Sequence, residues 1–213
     1  MNMTKVLIAD DHPIVRQGLK QILSEEPDMK TFGEATNSNE VLDLVKQQSW
    51  DIVILDITMP GRGGLEILKE LRQDHPKLPV LVLSIHPEDQ YAVRALKAGA
   101  AGYMTKESAP EELIKAIRTV LKGKKYISPS LAEKLAYYLE REDQKNLHET
   151  LSDREYQVLC MIAAGKSIKE IAETLSLSIK TISTYRARIF EKMKMKSNAE
   201  LIRYVINHQL VED

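Results

Sequence analysis

The sequence predicts an α/β domain built on a doubly wound, five-stranded parallel sheet, followed by a second, all-α domain of four helices that contains a helix-turn-helix. Three observations support this fold class. Short apolar runs alternate with amphipathic stretches over residues 1–123, which is the pattern of strands joined by helices. Strand patterns end after Gly123, and from Leu151 onward every pattern is helical. In that later part, a short helix, a tight turn and a longer helix follow one another, as in a helix-turn-helix unit.

The first domain is expected to contain five strands, each followed by a helix. The predicted strands are the apolar runs at 6–9, 31–35, 52–55, 80–83 and 102–104, of which the run at 31–35 is the weakest. The predicted helices are the amphipathic patterns at 14–23, 39–47, 65–72, 90–98 and 110–121. Pro13, Ser38 and Pro110 are suitable helix starts, and Gly99 and Gly123 are suitable ends. Such an order implies a parallel sheet with helices on both faces and a site beyond the carboxyl ends of its strands.

A linker and the second domain follow. A helical pattern begins at Ser128 and a polar run covers 141–146, so residues 124–147 are assigned to a helical linker and residues 148–213 to the second domain. In that domain Ser152 and Glu155 have the spacing of a capping box. This capping box opens the first helix of the domain, which Gly165 is expected to end. Three further helices are predicted at 168–175, 179–193 and 199–208, with a tight turn at 176–178 between the helices at 168–175 and 179–193.

Composition restricts the classes of protein to which this chain could belong. The 213 residues carry a net charge of -1, so any surface for nucleic acid has to be local. The single Cys160 excludes an internal disulfide and suits a reducing compartment; core packing is expected for its side chain. No apolar stretch approaches the roughly 18 residues of a membrane-spanning helix, and the N-terminus lacks the pattern of a signal peptide. A cytoplasmic protein without membrane contact is expected.

Polar residues follow four of the predicted strands. These residues are Asp10 and Asp11 after the first strand, Asp56 after the third, Ser84 after the fourth and Lys106 after the fifth. Because the carboxyl ends of parallel strands meet at one edge, their side chains are expected to share one crevice. Crowded carboxylates repel one another unless a cation lies among them, and oxygen ligands of this kind suit Mg²⁺. A carboxylate can also act as a nucleophile toward phosphorus, with the lysine and the hydroxyl group contacting phosphoryl oxygens.

Each of these residues has a plainer interpretation when it is taken alone. A single Asp at a strand end is usually structural, and Asp11 could cap the helix that starts near Pro13. A single Lys after a strand is more often solvated. His12 has no second histidine nearby, so a surface or helix-start role is expected for it. The combination at four strand ends favours a phosphate and metal site over these alternatives.

The helix predicted at 179–193 carries a concentrated positive charge. Residues 176–196 contain six basic residues and one acidic residue, which is a local net charge of +5. The side chains expected to face inward are those of Ile182, Ile189, Phe190 and Met193. Ser183, Thr184 and Ala187 form another face, whose short side chains would allow the helix to lie deep in the major groove of DNA. The alternative is a solvated helix with ordinary basic residues.

Residues 1–123 resemble the receiver domain of two-component response regulators, which has a flavodoxin-like fold. The resemblance rests on the acidic pair, on Asp56 and Lys106, and on the turn at 59–64, which is similar to the M-P-x-x-x-G turn of the family. It implies that Asp56 accepts a phosphoryl group from a sensor histidine kinase. It also implies that Asp11, Asp56 and the carbonyl group of Thr58 bind Mg²⁺, with Asp10 assisting through water.

The same resemblance implies that Ser84, Tyr103 and Lys106 sense the phosphoryl group. Two positions depart from the family pattern: Ser84 replaces the commoner Thr, and Glu107 stands where many receivers have Pro. For Tyr103, a half-buried strand aromatic is the alternative to a moving switch residue.

Residues 148–210 resemble the LuxR-type four-helix DNA-binding domain. The matching motifs are L-S-x-R-E at 151–155, G-x-S-x-K-E-I-A at 165–172 and S-x-K-T-I at 178–182. The resemblance implies that Ser183, Thr184 and Ala187 face DNA bases, and that Lys180, Thr181, Arg186, Arg188 and Lys192 face the DNA backbone. A receiver followed by this domain is the architecture of the NarL/FixJ subfamily. The fourth helix of such domains supports dimers on DNA.

The expected function is therefore that of a DNA-binding transcription regulator and not of an enzyme. Phosphorylation by a sensor histidine kinase would promote homodimer formation and binding to promoter DNA. One rival is a phosphohydrolase of the haloacid-dehalogenase kind, but that chemistry needs D-x-D after the first strand, whereas Asp10 and Asp11 are adjacent. A second rival keeps the receiver and gives the basic helix an acidic protein partner.

Overall fold

A computed structural model describes residues 3–59, 62–140, 146–208 and 210. The chain divides into two compact units, and the division falls between Leu135 and Ala136, inside a helix. The domain limits at residues 123 and 148 stay predictions. The predicted polar connection at 141–146 lies outside the described residues except for Asn146.

The first unit contains one parallel sheet of five strands in the order β2-β1-β3-β4-β5, which confirms the predicted fold class. The strands are β1 (Thr4–Ala9), β2 (Met29–Ala35), β3 (Ile52–Leu55), β4 (Val80–Ser84) and β5 (Gly102–Thr105). Both β1 and β2 begin before the apolar runs that predicted them. Thr4 and Lys5 pair with Met29 and Lys30 through the backbone, and pairing of this kind leaves no mark in an apolar pattern.

The helices of the first unit follow the strands as expected. They are α1 (Pro13–Ser24), α2 (Ser38–Gln47), α3 (Gly64–Asp74), α4 (Glu88–Lys97) and α5 (Pro110–Leu121). α2 begins at Ser38, as predicted, and the side chain of Asn37, one residue earlier, accepts hydrogen bonds from the backbone amides of Asn39 and Glu40. The Ser38 hydroxyl group instead donates to the carbonyl oxygen of Arg62 at 2.6 Å. Gly99 and Gly123 adopt positive φ angles after α4 and α5, as their role as stops requires.

The sheet holds the first unit together through its central strands. Every residue of β3 and β4 is buried. On one face, Val6, Ile54 and Leu81 belong to a continuous apolar core with side chains of α1 and α5, among them Leu23 and Ile117. Burial of several such side chains, each worth about 1.5–3 kcal/mol, fixes the strand ends relative to one another.

The second unit is helical, as predicted. A 3-10 helix (Leu147–Thr150) precedes α7 (Asp153–Ala163), α8 (Ile168–Leu175), α9 (Ile179–Met193) and α10 (Asn198–Asn207). The division between the units lies in α6 (Pro129–Glu140). The predicted capping box at Ser152 and Glu155 is present. Ser176 takes a left-handed conformation with φ of 53° and ends α8, which produces the sharp turn into α9.

The apolar faces of these helices form the core of the second unit. Ile182, Ile189 and Met193 of α9 are buried, as predicted. Phe190 was expected to face inward but is only partly buried, and the guanidinium group of Arg186 lies over its ring, 4.8 Å from the centroid. Cys160 is buried in α7, where its thiol lies 3.8 Å from the carbonyl oxygen of Leu210. No helix in the described part of the chain is long and apolar enough to cross a bilayer.

Candidate functional site: an acidic pocket and a basic helix

Backbone hydrogen bonds continue past the ends of the strands and fix the polar residues there. The amide of Asp56 donates to the carbonyl oxygen of Ala9 at 2.8 Å, and the amide of Lys106 donates to that of Ser84 at 2.8 Å. The amide of Asp10 donates to Ala35 at 3.0 Å. These residues therefore start from defined positions at one edge of the sheet, as the parallel order requires.

Lys106 joins two buried carboxylates in this pocket. Its Nζ lies 2.6 Å from Oδ2 of Asp10 and 2.7 Å from Oδ2 of Asp56. Both aspartates are only 1% exposed, so their mutual repulsion is poorly screened and the ammonium group compensates it. Burial alone would lower the pKa of Lys106, but Asp56 and Asp10 hold it above its ordinary value. Lys106 is thus a fixed positive charge beside the Asp56 carboxylate.

Thr58 holds the second oxygen of Asp56. Both its amide and its hydroxyl group donate to Oδ1 of Asp56, at 2.8 and 2.5 Å. Sequence reasoning assigned only the Thr58 carbonyl group to this site and did not foresee these two contacts. A threonine two residues after a strand-end aspartate could have indicated them, because such short loops close by bonds from side chain to backbone. The Asp56 carboxylate is consequently oriented at both oxygens.

The third carboxylate completes a group that fits a divalent cation. Ligand atoms of Asp10, Asp11, His12 and Asp56 all lie within 4.8 Å of one another. Oδ1 of Asp11 is buried, lies 2.9 Å from Nδ1 of His12, and accepts no hydrogen bond. A buried carboxylate oxygen without a hydrogen bond costs free energy, which a hard cation would recover. The donor set of three carboxylates therefore fits Mg²⁺.

His12 lies closer to this group than sequence reasoning expected. Its position at the start of α1 agrees with the helix-start role. Its ring, however, turns toward the acids, with Nδ1 3.1 Å from Oδ1 of Asp10, while its backbone amide donates to the same oxygen at 2.8 Å. The adjacency of His12 to two aspartates in the sequence was the signal that could have indicated this contact.

The two remaining residues of the predicted sensing set meet at the backbone of His86. Ser84 is fully buried, and its Oγ accepts a hydrogen bond from the backbone amide of His86 at 3.1 Å. Tyr103 is fully buried rather than half-buried, and its hydroxyl group donates to the carbonyl oxygen of His86 at 2.8 Å. The loop between β4 and α4 is therefore held from both sides by the residues that were predicted to respond to a phosphoryl group.

The turn after Asp56 is described only in part, because Pro60 and Gly61 lie outside the described residues. Gly64 at its end is tightly packed, since a Cβ atom there would lie 2.3 Å from Cα of Ile57. This close approach explains why the last position of the turn requires glycine. Glu107, which departs from the family pattern, is exposed.

The basic helix α9 presents most of the predicted DNA-contacting residues to solvent. The exposed ones are Lys180, Ser183, Thr184, Ala187, Arg188 and Lys192, and the partly buried ones are Thr181 and Arg186. Ser178 caps the helix by accepting the amide of Thr181 at 3.0 Å. The hydroxyl groups of Ser183 and Thr184 donate to carbonyl oxygens one turn earlier. The short-chained face is thus open, as a helix in the major groove requires.

Two of the predicted backbone-facing cations have partners inside the unit. Nζ of Lys192 lies 2.6 Å from Oε2 of Glu155, whose side chain is 3% exposed. Burial alone would raise the pKa of Glu155, but Lys192 and Ser152 lower it below its ordinary value. Arg186 donates to Oδ1 of Asn198 at 3.1 and 3.2 Å. These contacts tie α9 to α7 and α10, and the sequence pattern did not indicate them.

Two family models match the chain. The response regulator receiver domain matches residues 6–118, and the luxR family of bacterial regulatory proteins matches residues 149–205. Response regulator GacA of Pseudomonas aeruginosa is 39% identical over 211 residues, which cover 99% of each chain. Response regulator UvrY of Escherichia coli K12 is 36% identical over 209 residues, which cover 98% of this chain and 96% of UvrY.

Solved structures of response regulators are similar to nearly the whole chain. The RcsB response regulator of Salmonella typhimurium has a TM-score of 0.69 at 28% identity, covering 98% of this chain and 99% of RcsB. A complex of the two-component response regulator RcsB with DNA has a TM-score of 0.61 at 29% identity, covering 99% of this chain and 100% of that chain. The matched residues span nearly the whole chain, and so include the segments that carry the acidic pocket and the basic helix.

Proposed function

The chain belongs to the two-component response regulators that join a receiver domain to a LuxR-family DNA-binding domain, and from this premise we propose that phosphorylation of Asp56 controls its binding to promoter DNA. Members of this family are DNA-binding transcription regulators and not enzymes. They receive a phosphoryl group from sensor kinases. The observation that carries the proposal is the buried pair of Asp10 and Asp56 joined by Lys106. The family assignment removes the phosphohydrolase alternative.

The metal in this proposal is Mg²⁺, held by Asp11, Asp56 and the carbonyl group of Thr58, with Asp10 assisting through water. The buried, unbonded Oδ1 of Asp11 supports the assignment. When bound, the ion supplies positive charge that offsets the charge of the incoming phosphoryl oxygens.

The protein's own residues position and stabilise the transfer. A bond forms between phosphorus and a carboxylate oxygen of Asp56, and the bond from phosphorus to the donor histidine of the kinase breaks, so that the imidazole leaves. Thr58 orients the carboxylate, and Lys106 remains beside the new phosphoryl group as a counter-charge. The Ser84 hydroxyl group donates to a phosphoryl oxygen.

The new charge at Asp56 biases a pre-existing equilibrium of the receiver. Ser84 and Tyr103 transmit the change because both hold the loop at His86. Phosphorylation favours a homodimer in which two α9 helices reach half-sites about 10 bp apart. A role in transcription control supports a cytoplasmic location for the protein.

Labelling with acetyl phosphate tests the acceptor assignment. The wild-type protein and the variants Asp56→Asn and Asp74→Asn are incubated with Mg²⁺ and the donor, and the modified residue is located by mass spectrometry. Asp74 is an exposed acid at the end of α3 and serves as the matched control. Labelling is expected in the wild type and the control and absent from Asp56→Asn. Undiminished labelling of Asp56→Asn would overturn the assignment.

A further inference from the structure

The segment after α5 returns to the sheet and is fixed beside β5. Tyr126 forms a parallel bridge with Gly102, and its amide donates to the carbonyl oxygen of Ala101 at 2.9 Å. A Cβ atom on Gly102 would lie 2.9 Å from both Cβ and the carbonyl oxygen of Tyr126. The glycine therefore allows this close approach. The start of α6, which comes three residues later, is consequently held near the β5 side of the first unit.

A side-chain cluster attaches α6 to α4. Oε2 of Glu88 accepts hydrogen bonds from the hydroxyl groups of Ser128 and Ser130, both at 2.7 Å. Ser128 also accepts the amide of Leu131 at 3.1 Å and so caps α6. Leu131 is fully buried. We call Glu88, Ser128 and Ser130 the Glu88 clasp.

The clasp lies two residues from the point where the sensing residues meet. Glu88 is the first residue of α4, and His86 receives the bonds of Ser84 and Tyr103. Two residues of chain span at most about 7 Å. A shift of the His86 backbone is therefore expected to displace the Glu88 carboxylate as well. Hydrogen bonds to an ionised acceptor are strong but depend closely on distance and direction.

We infer that the Glu88 clasp holds the start of α6 on α4 while Asp56 is unphosphorylated, and that phosphorylation opens it. The inference rests on the proposed function of Asp56. When the Ser84 hydroxyl group turns toward the phosphoryl group, its oxygen leaves the His86 amide. The loop then shifts, the Glu88 carboxylate moves away from the two serines, and the first turn of α6 loses its tether. Because α6 leads into the second unit of the chain, the clasp connects the pocket to the linker.

Hydrogen exchange of the full chain measures the clasp directly. Wild type, Glu88→Ala and Glu111→Ala are compared with and without acetyl phosphate and Mg²⁺, and exchange is followed in a peptide that covers residues 128–135. Glu111 is an exposed acid in the first turn of α5, so its loss matches the change in charge near a helix N-terminus without touching the clasp. Ser130→Ala removes one of the two bonds and leaves the cap at Ser128.

Without donor, Glu88→Ala is expected to speed exchange in this peptide about tenfold, and Ser130→Ala about threefold, relative to the control. Acetyl phosphate is expected to speed exchange of the wild type to a similar extent and to add little in Glu88→Ala. Unchanged exchange in Glu88→Ala would show that the clasp does not hold α6. Faster exchange in that variant, with no effect of the donor on a labelled wild type, would show that the clasp holds α6 but that phosphorylation does not open it.

The labelled fraction is measured by mass spectrometry in the same samples. A wild type that remains unlabelled at Asp56 counts against the proposed function. A labelled wild type with a closed clasp counts against the inference alone. The two failures are therefore distinguishable.

Discussion

The ion pair between Lys192 and Glu155 leads to a prediction about the salt dependence of DNA binding. Arg188 and Lys180 are exposed on α9 and form no ion pair within the described residues. Lys192 lies on the same helix, but its ammonium group is 2.6 Å from a buried carboxylate. A cation that is already neutralised displaces no counterion from DNA. The dependence of DNA affinity on salt concentration should therefore become weaker in Arg188→Gln and in Lys180→Gln. It should stay unchanged in Lys192→Gln.

The size of the effect follows from counterion release. Each phosphate contact contributes about 0.9 to the slope of log K against log salt concentration. The loss of affinity caused by removing one contact is about 3.5-fold larger at 50 mM than at 200 mM salt. For a dimer that loses one contact in each protomer, the loss is about 12-fold larger at 50 mM than at 200 mM salt. Lys192→Gln leaves the slope unchanged. It lowers the free energy of unfolding by about 1–3 kcal/mol, because Glu155 stays buried without its partner.

Fluorescence anisotropy with a labelled duplex of arbitrary sequence measures the slopes, since contacts to phosphates do not depend on sequence. Urea denaturation gives the unfolding free energies. A slope that falls as much in Lys192→Gln as in Arg188→Gln would refute the reasoning, and so would an unchanged slope in Arg188→Gln.

Three further outcomes are expected. Chelation by EDTA should stop labelling by acetyl phosphate and added Mg²⁺ should restore it; labelling that persists in EDTA would remove the metal assignment. Because the folded pKa of Glu155 is depressed below 4.5, its contribution to stability is complete above that pH and is lost as the pH falls below it. Urea denaturation at several pH values should show a weaker acid destabilisation in Glu155→Gln, and an equal one would contradict this. Thr184→Val should alter the preferred sites among selected genomic fragments, and an unchanged preference would exclude Thr184 from base contact.

The pocket could be predicted because topology does most of the work of assembling it. Asp10, Asp56 and Lys106 each follow a strand, and a parallel sheet brings such positions to one edge. Their residue types then restrict the chemistry. The orientation of Asp56 by Thr58 and the turn of His12 toward the acids could not be predicted with the same ease, since they depend on loop conformations and not on periodicity.

Side-chain contacts between residues that are far apart in the sequence could not be predicted. Glu155 was identified as a capping residue, and it is one. Its pairing with Lys192, 37 residues later, depends on how α7 and α9 pack, which no local pattern encodes. Ser38 shows a related limit: two neighbouring polar residues both resemble a helix cap, and only the backbone geometry decides between them.

The bridge between Tyr126 and Gly102 affects more than the position of α6. β5 is the last strand of the sheet, and a bare outer strand offers its amides and carbonyl groups to any other extended chain. Tyr126 occupies part of that border with its own backbone. A fragment that ends at Gly123 would leave this part of β5 without a backbone partner and would be expected to self-associate. The residues after α5 therefore also favour a soluble receiver.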